Sequence, residues 1–236
     1  MDVITRSEAT NVVTAQEDTT VVVPPRPIRK YAAELIGTFF LVFTVGASVL
    51  SGSVFAPLAI GAVLMVMIYA GGHVSGGHFN PAVTMAVLVR RRIGIRDAAG
   101  YWVAQVVAGV IAALIARWIV NPAQVKTLTL SGHTVAAATV VELLFTFALT
   151  YVVLNVATSK SNPENSFYGL AIGFTVVAGA FAVGGISGGA FNPAVAIGAA
   201  VMGMFAWPTL WIYLVVQLVA GVIAGVVFRA LNPDDL

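Results

Sequence analysis

Six apolar segments, each about as long as a bilayer-spanning helix, dominate this sequence and restrict its fold more than any other feature. They lie near residues 31–50, 55–70, 98–120, 134–157, 167–183 and 207–229. About twenty apolar residues in a helix cross the roughly 30 Å hydrocarbon layer. The composition agrees, since only 9% of the residues are charged and mean hydropathy is +0.94, whereas soluble domains carry about 25% charged residues. We therefore predict an all-α membrane protein with six transmembrane helices.

Two shorter apolar stretches, residues 81–90 and 193–203, are about half as long as a span. At about 1.5 Å per residue a helix of this length cannot cross the hydrocarbon layer. Each stretch begins at the proline of an Asn-Pro-Ala sequence that follows a Ser-Gly-Gly sequence, which predicts a re-entrant half-helix. A third Asn-Pro-Ala, at 121–123, follows a full-length span without that preceding sequence, so we interpret it as a helix end.

The two halves of the chain resemble each other in register. The block around Glu34 recurs around Glu142, residues 75–83 recur as 187–195, and the block at Gln105 recurs at Gln217. The last two pairs share one offset, because 192 − 80 and 217 − 105 both equal 112. We predict a disordered tail over residues 1–30, a first repeat over 31–133 and a second over 134–236. Each repeat has an odd number of spans, so the second is inverted relative to the first.

The two half-helices are predicted to meet at their N-termini, because the inverted repeats insert them from opposite faces. Pro81 and Pro193 suit the first helical position. Asn80 and Asn192 suit the N-cap, where the side-chain oxygen accepts a helix N–H and the amide NH₂ is left as a donor. Each N-terminus carries roughly half a positive charge. Two such ends facing one lumen would repel cations and favour polar neutral molecules. The half-helix start comprises Pro81, Ala82, Pro193 and Ala194.

Other polar residues within the spans have competing interpretations. Glu34 and Glu142 either couple proton movement, as ionisable groups inside membranes often do, or accept hydrogen bonds from the N–H groups of the re-entrant loops. We favour loop support, together with Gln105 and Gln217. His78 either fixes the loop geometry or faces a pore.

Several functional classes are not supported by the sequence. There is no Cys and there are three His, so we predict neither a metal site nor a cofactor. No nucleophile with an adjacent base is recognisable, which argues against an enzyme. The formal net charge of +2 is too small to suggest a nucleic-acid partner.

Residues 31–230 resemble the major intrinsic protein family, the aquaporins and glycerol facilitators. The resemblance is carried by the sequence SGGHFNPAVT at 75–84, by the Glu34 and Glu142 blocks and by the second Asn-Pro-Ala. It implies a homotetramer of six-helix protomers, each with its own pore. The exclusion of cations by half-helix dipoles is a known property of aquaporin-type pores, and we apply it here.

The sequence departs from that family at the selectivity filter. Most members have an arginine three residues after the second Asn, and this chain has Val195 there. Spacing from the two Asn residues places the other filter positions at Ile60, Ala180 and Gly189. The resemblance therefore implies a wide, apolar constriction without a fixed charge. Such a constriction either admits solutes larger than water or resists wetting and conducts poorly.

We predict a passive channel for water and small neutral solutes such as glycerol, urea, ammonia, peroxide or metalloid hydroxides. The alternative is an ion- or proton-coupled secondary transporter of a small solute. We expect the chain to lie in the plasma membrane as a multi-pass protein with both termini cytoplasmic. With six spans, that face holds ten of the 12 Lys and Arg: Arg6, Arg26, Arg29, Lys30, Arg90, Arg91, Arg92, Arg96, Lys160 and Arg229. Topology alone explains the Arg90-Arg91-Arg92 cluster in this interpretation.

Overall fold

A computed structural model describes residues 27–235, which form eight α-helices. In chain order they are α1 (Pro27–Leu50), α2 (Ala56–Ser75), α3 (Pro81–Val89), α4 (Ile95–Val120), α5 (His133–Ala157), α6 (Tyr168–Ser187), α7 (Pro193–Val201) and α8 (Leu210–Leu231), the last preceded by a 3-10 turn at Trp207–Thr209. Six are long and apolar enough to cross a membrane. The other two, α3 and α7, have nine residues each. The predicted all-α fold of six spans and two half-helices is confirmed.

The start of α1 differs from the prediction. The predicted tail covers residues 1–30; residues 1–26 lie outside the described range, and residues 27–30 are helical. The first turn is held against α4, because Lys30 forms a salt bridge to Asp97 at 3.1 Å and the Tyr31 hydroxyl donates to Asp97 at 3.2 Å. These contacts join residues 66 and 67 positions apart, so the local sequence did not reveal them.

The ends of α2 and α6 also lie beyond the predicted positions 70 and 183. Both helices continue through a Gly-Gly pair and end at Gly76 and Gly188, whose φ angles are +90° and +88°. The N–H of each capping glycine donates to the carbonyl four residues earlier, at 2.8 Å in both cases. A left-handed cap of this kind suits glycine, which has no Cβ to clash. Helix continuation keeps backbone groups paired at a depth where water is scarce.

The halves of the chain interlock through the half-helices. Within each half the first helix packs on the next long helices, α1 on α2 and α4, and α5 on α6 and α8, while α2 contacts α6 across the molecule. The half-helix α3 packs mainly against α8, and α7 packs mainly against α4. Gly221 and Gly109 allow this approach, because an added Cβ would meet the carbonyl oxygens of Ala82 and Ala194. At both contacts a residue larger than glycine would push the half-helix away from its neighbour.

Large apolar side chains cover the outer surface of the long helices. Val103, Phe174 and Val215 are each more than half exposed, and Trp118 and Trp211 lie near helix ends with 79% and 63% exposure. Such a surface would be unfavourable in water. In a membrane protein the apolar side chains face the hydrocarbon, and tryptophans are typically found near the two membrane–water interfaces.

Candidate functional site

The two half-helices begin in the same way. Asn80 and Asn192 adopt extended backbone at φ −158°, and each is followed by a proline in the first helical turn. The Asn80 side-chain oxygen accepts the Ala82 N–H at 2.8 Å, and the Asn192 oxygen accepts the Ala194 N–H at 2.9 Å. The structure thus places both asparagines at the N-cap, which satisfies one of the free N–H groups of each helix start.

The N-termini of the two half-helices meet, and the asparagines join them. Asn80 Nδ2 donates to the carbonyl of Phe191 at 2.9 Å, and Asn192 Nδ2 donates to the carbonyl of Phe79 at 2.9 Å. Each amide nitrogen has two hydrogens. One of them is therefore used to connect the loops, and one remains for a molecule beside them. The sequence prediction left the whole NH₂ free, because it could not include a partner more than a hundred residues away.

Glu34 gathers the first re-entrant loop. Its carboxylate accepts the Ser75 hydroxyl at 2.7 Å, the backbone N–H groups of His78 at 2.9 Å and Phe79 at 2.7 Å, and Gln105 Nε2 at 2.8 Å. Glu34 is fully buried. A buried carboxylate is tolerated when it accepts several hydrogen bonds.

Glu142 repeats this arrangement in the second loop. It accepts the Ser187 hydroxyl at 2.6 Å, the N–H groups of Ala190 at 3.0 Å and Phe191 at 2.9 Å, and Gln217 Nε2 at 2.8 Å. The donors match those of the first loop one for one. In both halves a single carboxylate supplies acceptors to loop N–H groups that would otherwise have none in the membrane.

Two tyrosines and two serines complete the loop supports, and the sequence analysis did not single them out. Tyr101 donates its hydroxyl to the carbonyl of Ser75 at 2.6 Å, and Tyr213 donates to the carbonyl of Ser187 at 2.7 Å. The two tyrosines are 112 positions apart in the sequence, and so are the two serines. The same offset that aligned the asparagines could therefore have identified them.

His78 both contacts its loop and lines the interior. Its Nδ1 lies 3.1 Å from Thr84 Oγ1, and its ring packs edge-on against Tyr101 with centroids 5.1 Å apart. The corresponding positions in the second half are Ala190 and Ala196. The polar His–Thr pair of the first half therefore has apolar counterparts in the second half.

A cavity of about 570 Å³ runs along both asparagines. Its wall includes all four predicted filter positions, Ile60, Ala180, Gly189 and Val195. A Cβ built on Gly189 would lie 3.5 Å from the Ala180 Cα, so these two positions adjoin. Apart from the asparagines and His78, the polar side chains in the wall belong to the segment 126–129.

A second cavity, of about 600 Å³, lies next to the first. The two share Gly77, Val153 and Ile172 as wall residues. The wall of the second cavity also includes the exposed His73 and residues 158–160 and 162–165 of the α5–α6 loop. Val153 and Ile172 were not predicted as site residues, because apolar side chains on long helices have no local feature that distinguishes a cavity wall from a core.

Phe205 is also part of the wall of the first cavity. Its ring packs against Gly188, where an added Cβ would overlap it, and stacks on Tyr213 with centroids 4.6 Å apart. Leu128 pairs with this segment, its N–H donating to the Met204 carbonyl at 2.7 Å and its carbonyl accepting from Ala206 at 3.2 Å. In the second half, therefore, Phe205 occupies the place beside the capping glycine and tyrosine that His78 occupies in the first.

Comparison with known proteins agrees with this geometry. Residues 22–228 match the family described as major intrinsic protein. The chain is 39% identical over 218 residues to "Glycerol uptake facilitator protein-like 6" of Lactiplantibacillus plantarum, covering 88% of this chain and all of that protein. It is 36% identical over 198 residues to "Aquaporin NIP2-1" of Oryza sativa, covering 80% of this chain and 66% of that protein.

A solved structure, the aquaglyceroporin from Plasmodium falciparum, has the same fold with a TM-score of 0.70 at 19% identity, covering 88% of this chain and 96% of that one. The match to the family over most of the chain and the identity to the bacterial relative over its whole length establish the relationship. The chain is thus a multi-pass membrane protein of the major intrinsic protein family, whose members are channels and not enzymes.

Proposed function

We propose that this protein is a passive channel that conducts water and small uncharged solutes past Asn80 and Asn192. The observation that carries the proposal is a cavity lined by both asparagines that shares the wall residues Gly77, Val153 and Ile172 with a second cavity. The names of the relatives, a glycerol uptake facilitator and an aquaporin, point to the same class of solute.

The centre of the channel is suited to a neutral molecule with a lone pair. Asn80 and Asn192 each have one amide hydrogen beyond the one that connects the loops. Two helix N-termini, each with roughly half a positive charge, lie beside them. A passing oxygen could accept from the asparagines, whereas a cation would be repelled.

The proposed filter, formed by Ile60, Ala180, Gly189 and Val195, is apolar and lacks an arginine. Its side chains are small or aliphatic, so they offer neither charge nor hydrogen bonds. We propose that this opening admits solutes larger than water, including glycerol, urea, ammonia, peroxide and metalloid hydroxides. Exclusion of protons and cations would then depend mainly on the half-helix dipoles.

We propose that Glu34 and Glu142 support the loops and do not carry protons. Each carboxylate accepts four hydrogen bonds, two of them from backbone N–H groups. A proton on either carboxylate would remove acceptors from these buried donors, which is unfavourable. Gln105, Gln217 and His78 belong to the same support.

We further propose a homotetramer in the plasma membrane with both termini cytoplasmic. The tetramer is proposed from family membership. The orientation is proposed from the ten Lys and Arg that a six-span topology places on the face where α1 begins, as the positive-inside rule expects.

The proposed function can be tested in proteoliposomes. Stopped-flow light scattering under water, glycerol and urea gradients, together with a proton-flux assay, should show non-saturating solute flux without proton movement. Ala180→Trp should reduce all three fluxes because it fills the cavity wall. Ala182→Trp is the matched control, since Ala182 lies on the same helix, is exposed and is not part of that wall. Saturable uptake that requires a proton gradient would refute the channel and support the coupled transporter.

A further inference from the structure

Arg90 has an environment that membrane topology does not explain. It is the C-cap of α3 and is only 1% exposed, whereas the neighbouring Arg91 and Arg92 are exposed. The positive-inside rule explains why cations collect on the cytoplasmic face of a membrane protein, but it does not explain why one of them is buried. Fully buried charges occur where they are paired and hydrogen-bonded.

The Arg90 guanidinium joins three elements. It donates to Thr158, through Nε to the hydroxyl at 3.0 Å and through Nη2 to the carbonyl at 3.1 Å. It donates to Asp235, through Nη1 to the carbonyl at 2.5 Å and through Nη2 to the carboxylate at 2.9 Å. Its Cζ lies 4.3 Å from the ring centroid of Phe228, a cation–π contact. Since Thr158 caps α5 and Phe228 belongs to α8, the outer end of α3 is fixed to both helices.

The inner end of the same half-helix carries Asn80. With nine residues, α3 is about 12 Å long from end to end. Most of its residues are buried in close-packed surroundings, so we expect the short helix to shift as a unit rather than to bend. A displacement of its outer end therefore carries Asn80 with it. The hydrogen bond from Asn80 to the Phe191 carbonyl is 2.9 Å long. A shift of about 0.6–1 Å away from the carbonyl would break it.

The second half-helix is held in a different way. Met202, the C-cap of α7, is 112 positions after Arg90. Its carbonyl accepts Arg117 Nη1 from α4 at 2.7 Å, and Thr127 donates its hydroxyl to the Gly203 carbonyl at 2.8 Å. Arg117 is exposed and contacts only a carbonyl at this end, whereas Arg90 is buried and forms an ion pair. The buried ion pair with Asp235 is specific to the first half-helix among the described residues.

We propose that Arg90 is a positioning residue of the channel: with Asp235 and Thr158 as partners, it sets the depth of α3 and thereby the place of Asn80 in the pore. This inference rests on the proposed channel function. It predicts that loss of the Arg90 contacts changes selectivity, and not only the amount of folded protein.

The test uses Arg90→Met, which keeps an unbranched apolar side chain without the charge and donors, and Asp235→Asn, which removes the ion pair and keeps the shape. Both variants, normalised to the amount of channel, should change the ratio of glycerol to water permeability by about threefold to tenfold, a range that follows from small changes in barrier height. Arg90→Lys keeps the charge and should lie between wild type and Arg90→Met. A reduced yield with an unchanged ratio in Arg90→Met and Asp235→Asn would overturn the proposal.

The position of α3 can also be read without any flux. The natural chain has no Cys, so single cysteines can report accessibility. Val83 on α3 and Val195 on α7 both line the first cavity and are 112 positions apart. In the Arg90→Met or Asp235→Asn background, the rate at which a small thiol reagent modifies Val83→Cys should change, while the rate for Val195→Cys should not. Equal rates in all backgrounds would refute the proposal even if the protein conducts. A wild type that conducts nothing would refute the proposed function alone.

Discussion

At the scale of single residues, Val195 is the proposed filter position at which the family resemblance leads one to expect an arginine. It lines the first cavity, is nearly buried and has no group that can donate or accept a hydrogen bond. We predict that Val195→Arg lowers glycerol permeability by about tenfold relative to water, because a bulky cation narrows the filter and raises the barrier by roughly 1.4 kcal/mol. Light scattering with both gradients measures the ratio. Val195→Leu, which adds bulk without charge, is the matched control, and an unchanged ratio for Val195→Arg would show that the filter lies elsewhere.

Glu34 is a second position at which one residue determines local order. We predict that Glu34→Gln lowers the free energy of unfolding by about 2–4 kcal/mol, because the amide NH₂ would face buried N–H donors that have lost their acceptor. Thermal unfolding in detergent measures the loss. Thr38→Val is the control: it lies one turn further along α1, is fully buried, and its hydroxyl has no hydrogen-bond partner among residues 27–235. Equal stability of the two variants would contradict the proposed loop support.

At the scale of elements, α2 and α6 cross in close contact. These two helices carry Ile60 and Ala180 in the wall of the first cavity. Gly61 and Gly173 are in contact there, since a Cβ built on either would lie 2.5 Å from the carbonyl oxygen of the other. We predict that Gly173→Ala destabilises the protein by about 1–3 kcal/mol, because the helices must separate. Gly185→Ala, on the same helix with no neighbour within 4 Å among the described residues, should cost little or even stabilise the helix. Thermal unfolding measures the stability of the two variants. Similar unfolding midpoints would contradict the prediction and show that the helix crossing tolerates a methyl group.

At the scale of the whole molecule, Asp235 connects the residues after α8 to α3 and to the α5–α6 loop. Burial raises the pKa of Asp235, but hydrogen bonds from the Lys160 N–H, the Ser159 hydroxyl and Arg90 outweigh it, so the pKa lies below its ordinary value. Arg92 also faces it, at 3.4 Å. Because the folded-state pKa is depressed, this carboxylate stabilises the fold fully above its unfolded pKa of about 3.9 and loses that contribution as the pH falls through the folded value.

We therefore predict that Asp235→Asn is less stable than wild type at neutral pH and that the difference shrinks on acidification below about pH 4. Thermal unfolding of both proteins over this range measures the difference, and subtraction cancels the other carboxylates, which are present in both. A difference that stays constant down to the lowest pH would show that the charge of Asp235 does not stabilise the fold.

The sequence by itself determined the elements and the order in which they occur. The six spans followed from the length of the apolar segments, and the half-helices from two short segments with proline at their start, because both signals act within a few residues. The offset of 112 aligned Asn80 with Asn192 and Gln105 with Gln217. It also aligned Tyr101 with Tyr213, which the sequence analysis did not single out but could have identified in the same way.

Only the tertiary structure decided which groups remain free and which are used. It showed that each asparagine gives one amide hydrogen to the opposite loop, across 111 and 113 positions of sequence. It likewise showed that Arg90, which looks like one more cation of a basic cluster, is buried against Asp235, 145 positions away. The physical reason is the same in both cases: a hydrogen bond depends on distances of about 3 Å in space, and spacing along the chain determines such distances only within one helix or turn.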